Sequence, residues 1–98
     1  EQGYGVHADP LTAYSFFVQG VERGYPRAGV NIAELIVNAR FPFANKVMAL
    51  GYCIWGVEQA SDAERAEFEG DCAALEESLQ PDDTMRAKAR GFADRLQQ

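Results

Sequence analysis

The stretch GYCIWGVEQASDAERAEFEGDCAAL, residues 51–75, decides how this 98-residue chain is read. Its first half is apolar on most sides, and its second half sets alanines among carboxylates. The join at Ala60-Ser61-Asp62 reads as a helix break followed by a fresh start. Ser61 with Glu64 three residues on is a capping box, the serine bonding the Glu64 amide and the Glu64 carboxylate reaching back. Two helices joined there form an antiparallel hairpin, and Cys53 and Cys72 are symmetric about position 62.5, beside that turn, so they stand at about one height. A disulfide requires Cα atoms roughly 4.4–6.8 Å apart, closer than most helix pairs. Gly51, Gly56 and Gly70 are the residues expected to permit that approach. Two readings stand side by side. One is a staple worth about 3 kcal/mol, and the other is a pair of reduced cysteines serving as small core hydrophobes. A nucleophilic role is disfavoured, because Cys53 lies among Tyr52, Ile54 and Trp55 and Cys72 follows Asp71, surroundings that withhold the thiolate.

Working outward, Val47, Met48, Leu50, Gly51, Cys53, Ile54, Trp55 and Val57 cover more than half the circumference of a helix at about 44–59, starting near Pro42 or Asn45. That helix is expected at the centre of the fold, with Gly51 and Gly56 retained where another backbone approaches closely. Upstream, Asp9 and Pro10 read as N-cap and first helical residue. Leu11, Tyr14, Phe17, Val18 and Val21 form one apolar stripe, and Gly24-Tyr25-Pro26 supplies a stop. Phe16 points away from the stripe, toward a second neighbour or a partner. Asn31 with Glu34 predicts the start of a short second helix buried through Ile32, Leu35, Ile36 and Ala39, broken by Phe41-Pro42-Phe43. Downstream, Phe68, Cys72, Leu75 and Leu79 are the core face of the fourth helix. Pro81-Asp82-Asp83 leads into a fifth with Met85, Ala89, Phe92 and Leu96 inward. No strand pattern competes, so the expectation is an all-α bundle of about five helices in one domain over 1–98, with 1–8 an irregular N-terminal segment.

Composition bounds the function classes. At 47% apolar and 24% charged residues, the usage is that of a globular domain rather than a disordered one. No apolar run is long enough to span a membrane. The chain opens EQGYG without a methionine, which fits a mature exported form and a shortened chain equally. The expected location is periplasmic or secreted, with the cytoplasm as the alternative. His7 is the only histidine, and with Asp9 and two core cysteines it does not supply a zinc set. Neither a metal nor another cofactor is implied. Ser15, Ser61 and Ser78 lack a nucleophile-elbow context, and no glycine-rich segment has phosphate-loop spacing. No catalytic residue is assigned, and the protein is expected not to be an enzyme.

Charge is the feature that departs from the ordinary. The net charge is −6, but Glu58 through Asp83 hold ten carboxylates against Arg65 alone, a local net of −9. Residues 1–57 balance, and the last helix is basic. Glu64, Glu67 and Asp71 share one side of the fourth helix. This face is read either as solvated surface, partly neutralised by a basic fifth helix alongside, or as a docking surface for a protein partner with a basic surface, which long-range attraction would steer in. Direct nucleic-acid binding is not expected, because counterion release needs a basic patch.

GYCIWGVEQA, residues 51–60, resembles the cysteine-bearing central helix of small helical periplasmic immunity proteins that neutralise secreted bacterial amidases. The likeness covers those ten residues, and the chain departs from that family downstream, where its cysteine context differs. The resemblance implies an inhibitor-type binder. The expected function is therefore non-catalytic engagement, with possible inhibition, of another protein, with Phe16, Glu64, Glu67 and Asp71 as contacts. The alternative is a small-ligand or cofactor carrier built on the aromatic N-terminal half. Oligomeric state leaves no signal in the sequence.

Overall fold

The computed structural model describes residues 9–39 and 45–97, and the expectations for 1–8 and for the Phe41-Pro42-Phe43 break lie outside them. Five helices follow in order: α1 (Pro10–Glu22), α2 (Pro26–Ala39), α3 (Lys46–Gln59), α4 (Asp62–Leu79) and α5 (Asp83–Leu96), with no strand among the described residues. The architecture is an all-α bundle.

Local chemistry sets most boundaries. Asp9 accepts from the Leu11 amide at 3.2 Å, Asn45 from Met48 at 3.0 Å and Asp82 from Met85 at 2.8 Å, each satisfying a donor that its helix leaves open. α1 ends in a Schellman motif. Gly24 takes φ +81°, its amide donates to Val21 and the Tyr25 amide donates to Gly20. The second helix starts five residues before the sequence reading places it, at Pro26 rather than Asn31. Proline at a first helical position is already shaped for the helix and loses no bond there, so one residue both prevents α1 from continuing and begins α2. Asn31 lies in the second turn of α2.

α3 is the hub, packed by α2, α4 and α5, while α1 rests chiefly on α2. Its buried set includes Leu50, Tyr52, Cys53 and Trp55. Tyr52, absent from the predicted stripe, is buried with its ring edge-on to Phe92 at 5.1 Å and its phenol hydrogen-bonded with Tyr14; burial, then Tyr14, hold that phenol protonated far above its ordinary range. Gly51 and Gly56 are sites of close approach, as expected. A Cβ on Gly51 would come within 2.5 Å of Phe92 and 3.1 Å of the Ala89 carbonyl, and one on Gly56 within 2.9 Å of the Pro26 carbonyl. α5 seats fully buried Ala89 and Ala93 on this surface.

The hairpin turn carries the capping box. Glu64 Oε1 accepts from the Ser61 amide at 3.4 Å and hydroxyl at 3.0 Å, and Arg65 donates to the Ala60 carbonyl. Cys53 and Cys72 lie with their sulfurs at bonding distance and their Cα atoms 5.8 Å apart. The glycines do not produce this approach in the expected way. Gly51 faces α5, Gly56 faces α2, and a Cβ on Gly70 would meet nothing within 4 Å.

Candidate binding surface

α1 has no charged residue from Pro10 to Val21, and only Val21 is buried. Tyr14, Phe17, Val18 and Val21 of its predicted stripe pack on the core, but Leu11, at the first turn, does not and lies exposed, as does the side that carries Phe16. Phe16 is 69% exposed, Tyr25 57% and Leu11 56%. Phe16, Phe17, Gly20, Tyr25 and Ala28 line a pocket of about 230 Å³, with Arg23 and Arg27 among its walls. The Phe16 and Phe17 rings stand edge to face at 5.9 Å.

Arg27 joins this apolar pocket to the acidic flank of α4. Its Nη1 lies 2.7 Å from Asp71 Oδ2 and 3.8 Å from Glu67 Oε2, and its guanidinium covers the Phe68 ring at 5.4 Å. The hydrogen bond that Arg27 donates to Asp71, together with the neighbouring carboxylates, holds Arg27 charged above its ordinary range. Phe16, Glu67 and Asp71 are thus gathered around one arginine, although Phe16 is far from the other two in sequence. Glu64 stands one turn nearer the hairpin, its carboxylate engaged by Ser61.

Neither Tyr25 nor Arg27 is singled out by the sequence. Tyr25 reads there as part of a stop signal and as one of the aromatics of the N-terminal half, not as a contact. Arg27 meets Asp71 across 44 residues, a pairing that no local pattern encodes.

The rest of the acidic segment divides in two. Glu76 pairs with Arg86 at 2.7 Å, Glu58 with Arg90 and Asp62 with Arg65 at 3.6 Å. Glu69 and Glu77 have no ionic partner among the described residues. α5 does supply neutralising arginines, but from a seat on α3, because α5 makes at most a glancing contact with α4. No trio of His, Cys, Asp or Glu among the described residues is placed to hold a metal ion, and no described helix is long and apolar enough to cross a membrane. No protein-family model, curated protein or solved structure matches the chain.

Proposed function

We propose that this is a non-catalytic binding protein that engages another protein and inhibits it by occupying its surface. The carrying observation is Phe16, exposed beside an apolar pocket whose wall, Arg27, is shared with the carboxylates of Glu67 and Asp71. Large apolar side chains left in solvent next to a concavity are the kind of anchor around which interfaces form. The partner presents an apolar side chain to the Phe16 pocket and a basic edge to Glu64, Glu67 and Asp71. The local charge of −9 between Glu58 and Asp83 steers such a partner during encounter.

Binding is favoured over catalysis because Arg27, Glu67, Asp71 and Glu64 are committed as ion pairs and a helix cap. Export is supported by Cys53 and Cys72 at bonding distance, since such pairs persist in oxidising compartments. The likeness of residues 51–60 to periplasmic immunity proteins points the same way and rests on that stretch alone.

The test compares wild type, Phe16→Ala and a Glu64→Lys/Glu67→Lys/Asp71→Lys variant as immobilised baits, with thermal melts confirming that each is folded. A partner held by wild type is expected to bind both variants more weakly and to lose its salt dependence with the triple variant. A partner held equally by all three moves the contact off this surface.

A further inference from the structure

A second concavity lies on the opposite flank of α4. Leu50, Ile54 and Val57 of α3, spaced i, i+4 and i+7, form one wall, and Cys72 and Ala73 of α4 form the other, in a groove of about 440 Å³. Glu58, Glu69 and Glu76 line the same groove. At 1.5 Å per residue, Glu69 and Glu76 are about 10 Å apart along α4, with Cys72 and Ala73 between them. The groove is therefore apolar along its middle and acidic toward its ends.

The molecule itself shows what these carboxylates take. Glu58 holds the guanidinium of Arg90, and Glu76 holds that of Arg86, both from α5. Glu69 is exposed and has no ionic partner among the described residues. We propose that the α3–α4 groove docks a helical segment of a partner protein. That segment lays one large apolar side chain on Ile54, Val57 and Ala73 and places an arginine or lysine, one turn away, against Glu69. One turn is the spacing on α4 from Glu69 to Ala73, so a partner helix lying along the groove matches both contacts at once. This surface is separate from the Phe16 pocket and stands or falls independently of it.

The probe is an acetylated, amidated alanine-based helical peptide carrying leucine and arginine four residues apart, titrated into the isotopically labelled full chain and followed by amide shifts. Shifts are expected to cluster at Ile54, Val57, Glu69 and Ala73. Glu69→Lys is expected to weaken binding about five-fold, a rim-charge effect, as is Ala73→Trp, which fills the groove from an exposed position. Glu77→Lys, the same charge change on the outer face of α4, is expected to leave affinity within about two-fold. A peptide with glutamate in place of arginine is expected not to bind. Shifts spread over the acidic surface, or equal losses from Glu69→Lys and Glu77→Lys, would overturn the proposal in favour of unspecific attraction. Self-association abolished by Ala73→Trp would overturn it in favour of a second copy of this chain.

Discussion

Cys53 and Cys72 illustrate how far a single residue's position can be argued from its neighbours. Their symmetry about position 62.5, beside the Ser61 turn, gives them a common height, and the structure places their Cα atoms 5.8 Å apart. Intact mass under denaturing, non-reducing conditions is expected to show two fewer hydrogens and no alkylation, with both thiols labelled after reduction. Replacing both by alanine is expected to cost about 3 kcal/mol in denaturant unfolding, the value for closing a loop of this length; a loss below about 1 kcal/mol would mean that they act only as packed core residues. Gly51 and Gly56 were legible as close-approach sites, but their partners were not, and Gly70, expected to serve the same end, faces open space. Composition says that Gly51 needs space, and only the packing says that Phe92 and Ala89 take it. Gly51→Ala is therefore expected to destabilise by about 1–3 kcal/mol, through overpacking against α5. Gly70→Ala adds a methyl to open space on a helix and is expected to stabilise by about 0.5–1 kcal/mol. Equilibrium unfolding of the two variants tests the opposite signs.

At the scale of elements, the helix starts at Asp9 and Ser61 were read from their caps because a cap is made within three residues of itself, while Asn45 stood beside Pro42 as an alternative and Asp82 only within the Pro81-Asp82-Asp83 break. The start of α2 was misread because two local signals competed, and Pro26, with its backbone already constrained, outweighed Asn31. How elements are tied together was not readable. Arg90 on α5 donates to both oxygens of Glu58 on α3, and Gln97 donates to the same carboxylate. These bonds, led by Arg90, pull Glu58 below the ordinary glutamate range despite partial burial. A carboxylate depressed in the folded state contributes stability above its unfolded value, about 4.3, and loses it as pH falls through the folded value. Because the pair is half exposed, its contribution is at most about 1 kcal/mol. Wild type is thus expected to melt a few degrees above Glu58→Gln at pH 7, with the gap closing progressively below pH ~4. A gap unchanged down to pH 2 would show that Glu58 acts by packing alone.

For the molecule as a whole, burial is distributed unevenly, and this sets which part opens first. α3 is covered by three helices, and its residues from Ala49 to Gly56 are nearly all buried. α1 packs chiefly on α2 and buries Val21 alone, with Tyr14 reaching the Tyr52 phenol as its link to the hub. Segments with few buried contacts open locally at free energies below global unfolding. Amides of α1 from Phe17 to Gly20 are therefore expected to exchange through a local opening whose rate is insensitive to low denaturant. Amides of Tyr52 to Trp55 should exchange only with global unfolding, at the free energy measured by equilibrium denaturation. Tyr14→Phe removes the hydroxyl link and is expected to speed exchange in α1 several-fold while leaving α3 unchanged. The same hierarchy bears on binding, because a partner closing on Phe16 adds to α1 a second packing surface, which the other described helices do not provide. Uniform protection of α1 and α3 would instead show a single cooperative unit in which the exposed side of α1 carries no local freedom.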